Sequence, residues 1–261
     1  MPRSGVDYAT DQITVYRYCP YNCAYCYVWR SKLFSSRVQR GKYDPVEEAR
    51  KYLNKRNRVI VVSFVSDPYP PEEADKRITR RVLEVLSGNP CNRVMVLTKN
   101  PGLALRDLDV MKKGNIWLGT TIITFFRPFY RKLEPYAPSP LERVKALVEA
   151  HKEGVRTWIS IEPIIPFITY PEEIVRLTLV LGVDYYVLGA YNYYNRITLP
   201  TIEYREETKY VKKNVEINLS SLTRDILKVW YVIHVSKAIE LLESYGRKYF
   251  IKKELQAFLE E

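Results

Sequence analysis

No uninterrupted run of 18 apolar residues occurs anywhere in the 261-residue chain, which argues against a membrane-spanning helix. The opening Met1-Pro2-Arg3-Ser4-Gly5 leads into polar sequence and lacks the apolar core of a secretion signal. Cysteine is scarce: there are four, and three of them fall within eight positions. That distribution does not suit a disulfide framework but does suit a reducing cytoplasm, where the protein is expected to reside. Histidine is scarcer still, and His151 and His234 form no ligand pair, so both are expected to be structural. There is no low-complexity segment, no flexible linker and no second cysteine cluster; one domain over residues 1–261 is expected.

What is present begins with charge. The chain carries 41 Lys/Arg against 30 Asp/Glu, a formal net charge of +11. The excess is concentrated early: residues 1–60 hold 12 basic and 5 acidic side chains. Arg30, Lys32, Arg37, Arg40 and Lys42 follow one another with no acidic residue between them. Such a segment attracts a polyanion, with nucleic acid the obvious candidate, or is simply a solvated basic surface.

The three clustered cysteines are Cys19, Cys23 and Cys26, spaced CxxxCxxC after a strand-like run, Ile13–Tyr18. Four thiolates complete an ordinary iron–sulfur cluster or a structural zinc site. Three thiolates on a 4Fe–4S cube leave one iron open to a ligand. This motif, with Tyr25 just before its last cysteine, resembles the radical S-adenosylmethionine superfamily. The resemblance implies that Cys19, Cys23 and Cys26 hold a 4Fe–4S cluster and that S-adenosylmethionine chelates its open iron. It also implies reductive cleavage to a 5′-deoxyadenosyl radical that abstracts hydrogen from a substrate, with a ferredoxin or flavodoxin supplying the electron. Tyr25 is then expected near the adenine. The competing reading is zinc or a four-cysteine cluster completed by Cys91, which lies far along the chain with no second CxxC.

Beyond the motif, apolar β-branched runs alternate with helical patterns. Strands are expected at Arg58–Ser66, Arg93–Thr98, Ile116–Ile123, Thr157–Ile165 and Tyr185–Leu188. Helices are expected at Pro45–Asn54, about Thr79–Leu86, Leu103–Lys113, from Ser139-Pro140-Leu141-Glu142 to Gly154, at Pro171–Leu181 and at Thr223–Tyr245. With the cysteine strand these make six βα units, which predict parallel pairing in an α/β fold, a partial (β/α)6 TIM-like barrel. The core is expected over about 13–191. A tyrosine-rich connection at 192–220, with hairpin-like Ile197–Tyr204 and Lys209–Leu219, is placed to act as a lid. C-terminal helices over 221–261 follow, the last within Gly246–Glu261.

In such barrels chemistry collects at the C-terminal ends of strands. There the chain carries Ser66-Asp67-Pro68-Tyr69, Thr98-Lys99, Leu133-Glu134-Pro135, Pro138-Ser139-Pro140 and Ser160-Ile161-Glu162-Pro163. Together these resemble the spore photoproduct lyase-related branch of the superfamily. That resemblance implies that Ser66 and Asp67 touch the methionine amino end. It implies that Lys99 and Thr120 or Thr121 hold the carboxylate or ribose, and that Ser160 and Glu162 line the cofactor or substrate side. A carboxylate inside a parallel strand is costly unless paired, which sets Glu162 apart as a catalytic candidate. Where true photoproduct lyases carry a hydrogen-donor cysteine this chain has Val65, and Cys91 is expected to be an apolar filler at the opposite face. Tyrosine is abundant, at 22 residues; Tyr185, Tyr186, Tyr191, Tyr193 and Tyr194 crowd the sixth strand and its loop, where rings are expected to stack bases, to relay a radical, or to pack core and surface. Three functions are thus in play: a radical enzyme acting on nucleic acid, the same chemistry on a protein or small metabolite, and a basic nucleic-acid-binding protein with a structural metal.

Overall fold

The computed structural model describes residues 6–26, 28, 43–63, 65–191, 202–206, 209–213 and 224–259. Seven parallel strands form one curled sheet, a partial TIM-like barrel, in the order β1 (Asp11–Ile13), β2 (Val59–Val62), β3 (Arg93–Leu97), β4 (Ile116–Thr121), β5 (Thr157–Ile164), β6 (Tyr185–Ala190) and β9 (Lys248–Ile251). Every neighbouring pair is parallel, as βα crossovers require. A separate antiparallel hairpin pairs β7 (Ile202–Glu206) with β8 (Lys209–Lys213). The rest of the 192–220 connection expected to act as a lid, with Tyr193 and Tyr194, lies outside the described residues, as does the basic run from Arg30 to Lys42.

The helices are α1 (Pro45–Arg50), α2 (Glu73–Lys76), α3 (Ile78–Ser87), α4 (Pro101–Ala104), α5 (Leu108–Lys113), α6 (Arg127–Leu133), α7 (Pro140–Lys152), α8 (Pro171–Leu179), α9 (Arg224–Ser244) and α10 (Lys253–Leu259). Local chemistry sets their starts. Asp44 caps α1 by accepting from the Val46 and Glu47 amides, and Ser139 and Glu142 close a reciprocal capping box on α7. None of the described helices is long and apolar enough to cross a membrane.

Three expectations need correcting. The segment after Gly246 is not a helix alone, since Lys248–Ile251 forms a seventh strand on β6 before α10 begins. The expected helix over Leu103–Lys113 is broken, with a short 3₁₀ turn at Leu105–Asp107 between α4 and α5. Cys91 is exposed and so fills no core; it sits just before β3, at the end of the sheet away from the other three cysteines.

Strand alternation divides the core into two layers. Ile60, Val62, Val94, Val96, Ile116, Leu118, Ile159, Ile161, Tyr186 and Leu188 pack toward the helices. Val61, Met95, Trp117, Trp158 and Val187 form a second cluster on the concave side. Trp158 is fully buried there and lies against Gly119: a Cβ at Gly119 would sit 2.2 Å from the indole. Gly119→Ala is therefore expected to destabilise the fold by about 1–3 kcal/mol through overpacking. A thermal melt reads this directly, and a Tm within 1 °C of wild type would contradict it.

Candidate active site

Continuing the concave alternation past the Trp158 layer leads to Ser63, Leu97, Thr121, Ser160 and Glu162, and all five line one open cleft. Cys19, Cys23, Tyr25 and Cys26 form another wall of this cleft, with Val65, Ser66, Asp67, Lys99 and Tyr191. The polar strand ends of the sequence thus meet the cysteine segment at one mouth. The alternation also separates the two threonines. Thr121 lines the cleft, whereas Thr120 is fully buried and donates its hydroxyl to the Thr98 carbonyl at 2.6 Å. Thr120 is a strand-to-strand tie rather than a cleft residue.

The cysteine segment is fastened at several points. Val15 donates its amide to Ser63 Oγ at 3.0 Å, and the Tyr21 hydroxyl donates to the Tyr69 carbonyl at 2.9 Å. The Ala24 amide reaches the Leu133 carbonyl at 2.9 Å, and a turn brings the Cys26 amide to the Cys23 carbonyl at 3.0 Å. Cys23 is buried, Cys19 and Cys26 are half-buried, and all three are free thiols. Burial pushes the Cys19 thiol up to about 11 and the Cys23 thiol up to about 12. Both are therefore protonated near neutrality unless a cation compensates the lost hydration. The thiols share the cleft wall without converging: among the described residues no three cysteine, histidine or carboxylate side chains are gathered closely enough to hold a metal ion.

Asp67 is buried, and burial raises its carboxyl above the ordinary range. It accepts from the Tyr69 amide at 2.9 Å, the Thr98 hydroxyl at 2.6 Å and the Lys99 amide at 2.7 Å, so it knots the ends of β2 and β3 together. Ser66 donates to the Tyr16 carbonyl at 2.5 Å. Ser160 differs, because its hydroxyl is buried at the cleft and has no hydrogen-bond partner among the described residues.

Glu162 falls at a register irregularity of β5 between Ile161 and Ile164, a bulge of the kind that re-aims side chains. Its carboxylate accepts from Lys252 Nζ at 2.6 Å, across β6. Gly189 makes room for this pair, since a Cβ there would lie 2.9 Å from Lys252 Cδ and 3.0 Å from Glu162 Cγ. The sequence reading gave Lys252 no role because it had no strand β9 to carry it. Lys252→Ala is expected to leave Glu162 without its ammonium at a site that is 18% exposed, costing about 1–2 kcal/mol of stability. An unchanged urea midpoint would contradict that.

Two more residues escaped the sequence reading. Glu134 and Arg143 are buried and ion-paired, and Lys99 Nζ reaches the same carboxylate at 2.7 Å. Burial pushes the Glu134 carboxyl up, but Arg143 and Lys99 outweigh it and hold it at about 2. A signal for Arg143 was present: it shares the buried face of α7 with Pro140, Val144 and Leu147, where a cation demands a partner. The histidines pair with acids away from the cleft, His234 Nδ1 with Glu172 at 2.6 Å and His151 Nδ1 with Asp184 at 3.4 Å.

A family model described as "Radical SAM superfamily" matches residues 13–178. An uncharacterized protein of Methanocaldococcus jannaschii is 33% identical over 178 residues, 67% of this chain and 66% of that protein. The match thus covers just under two thirds of that relative. Among solved structures, a spore photoproduct lyase variant with bound AdoMet and dinucleoside spore photoproduct superposes with a TM-score of 0.65 at 16% identity, covering 95% of this chain and 77% of that one. Streptococcus suis SuiB bound to S-adenosylmethionine superposes at 0.59 with 11% identity, covering 93% and 47%. At such identities these two likenesses speak to fold.

Proposed function

Because the chain belongs to the radical SAM superfamily, we propose that it reductively cleaves S-adenosylmethionine at a 4Fe–4S cluster and abstracts hydrogen from a nucleic-acid substrate. The observation that carries this reading is the meeting of three free thiols and a polar strand-end set at one cleft. The donor set fits the group. Three soft thiols held in no disulfide suit iron, and the Ser160 hydroxyl, without a partner among the described residues, awaits a polar ligand. Cys19, Cys23 and Cys26 would hold the cluster, drawn together by metal binding as ligand sets commonly are. When bound, the cluster supplies the electron that splits S-adenosylmethionine to methionine and a 5′-deoxyadenosyl radical.

The remaining work falls to the protein. Lys99 offers a cation to the cofactor carboxylate, and Thr121 and Ser160 offer hydroxyls to its ribose or amino end. Ser66 and Asp67 brace the neighbouring wall. Glu162, neutralised by Lys252, presents a carboxylate to cofactor or substrate. Val28, Val65, Leu97 and Ala190 line the cleft with apolar surface that limits water around the reacting atoms. An external donor such as a ferredoxin or flavodoxin must supply the electron.

Nucleic acid is favoured as the substrate class by the net charge of +11 and by the basic run from Arg30 to Lys42, next in sequence to the cysteines. The neighbouring lyase structure carries a dinucleoside. Anaerobic reconstitution with dithionite should yield 5′-deoxyadenosine well above a variant with all three cysteines changed to alanine. Yield equal to that control would defeat the enzyme reading. Binding to DNA or RNA should weaken steeply with salt; a flat response would move the substrate to a protein or small metabolite.

A further inference from the structure

Glu134 stands at a junction that the proposed chemistry leaves unused. It follows α6 and is fully enclosed, yet its carboxylate gathers groups from three other parts of the chain. Lys99 Nζ, at the end of β3, donates to Glu134 Oε1 at 2.7 Å and to the Tyr25 hydroxyl oxygen at 2.7 Å. The Tyr25 hydroxyl donates to the same Oε1, closing a three-membered ring of hydrogen bonds. Glu134 Oε2 accepts from Arg143 Nη2. Arg143 is itself fixed by bonds from Nε to the Pro138 carbonyl at 2.7 Å and from Nη1 to the Thr121 carbonyl at 2.9 Å.

Two consequences follow from this arrangement. First, two cations share one carboxylate. Lys99, Glu134 and Arg143 together carry one net positive charge, which the buried Asp67 carboxyl beside the Lys99 amide offsets to the extent that it is ionised. Lys99 spends two of its three N–H donors within the ring and lines the cleft, so among the described residues one donor remains for a bound group. Second, Tyr25 lies between Cys23 and Cys26, and its ring is anchored by the same carboxylate. One side chain thus ties the cysteine turn to the cation facing the cleft.

Building on the reading above, we propose that Glu134, backed by Arg143, is a positioning residue that sets Lys99 for the carboxylate of S-adenosylmethionine and braces the Cys23–Cys26 turn through Tyr25. Glu134 touches no reacting atom. Its action runs through Lys99 and Tyr25, and a loss should appear in cofactor affinity more than in turnover at saturation.

The test uses reconstituted, iron-loaded protein titrated with S-adenosylmethionine. The readouts are the cofactor-induced change in the electron paramagnetic resonance spectrum and the KM and kcat for 5′-deoxyadenosine formation. Glu134→Gln is expected to move the titration midpoint and KM upward by about tenfold or more, the scale of lost outer-shell partners, with kcat within about threefold of wild type. Glu134→Asp, which keeps the charge, should fall between. A loaded Gln variant with its midpoint within about twofold of wild type, or with only kcat reduced, overturns the proposal. If the Gln variant loads no iron, Tyr25→Phe decides, since it deletes one hydroxyl from the ring. A midpoint shift of about threefold or more supports the proposal, and no shift overturns it. A wild-type spectrum indifferent to S-adenosylmethionine would overturn the cofactor reading itself, a different outcome from a variant that matches a responsive wild type.

Discussion

Cys23→Ala is expected to abolish iron loading and to cut 5′-deoxyadenosine formation by about a thousandfold or more. Removing partners that merely orient a ligand already costs about 10–100-fold in metal affinity or activity, and loss of a ligand must exceed that. The fold should survive, because Cys23 packs as a small buried side chain with no bond across the sheet. The cost to stability is expected to be about 1 kcal/mol, the ordinary consequence of a small truncation. Iron per chain and a thermal melt, measured on the same preparation, separate the two effects. Full iron loading with undiminished activity would remove Cys23 from the site. A collapsed melt with lost iron would instead make the cysteine structural.

Arg143→Met is expected to produce the largest loss of stability. Arg143 is fully buried and donates to Glu134 and to two backbone carbonyls. Methionine fills similar volume but strands those acceptors and leaves the Glu134 carboxylate with Lys99 as its one cation beside the Tyr25 hydroxyl. Breaking a buried ion pair from one side costs about 3–5 kcal/mol, which for a chain of this size lowers Tm by about 10 °C. The double change Arg143→Met with Glu134→Leu should recover only part of the loss, because it removes the stranded carboxylate but leaves Lys99 without its counterion. A single-variant Tm within about 2 °C of wild type would show that the pair contributes little.

The barrel was legible because a βα repeat writes itself locally. Most strands are apolar β-branched runs, several helices start at a capping residue or proline, and Ser139 with Glu142 marks the start of α7 in the sequence itself. Polar residues at the strand ends were legible for the same reason, since the fold sends those ends to one mouth. Strand β9 was not, because Lys248–Ile251 is four residues long, only partly buried, and follows a long helix that already ended plausibly at Gly246. Missing β9 concealed Lys252, whose partner Glu162 lies 90 positions earlier. Thr120 and Thr121 were not told apart because choosing between them needs the register of β4, which period-two alternation supplies only once Gly119 is set against Trp158. Glu134 lies inside a segment that carries the family resemblance, yet its charge partners come from other elements, at Lys99 and Arg143. Topology, not local pattern, determined those pairs.

Cys19, Cys23 and Cys26 are expected to hold a cluster with one iron left free for S-adenosylmethionine. Mössbauer spectroscopy of anaerobically reconstituted protein tests it most directly. A 4Fe–4S signal in which a single iron site changes its isomer shift when S-adenosylmethionine is added is the predicted result. Four iron sites unmoved by the cofactor, or zinc in place of iron in metal analysis of the purified protein, would contradict it.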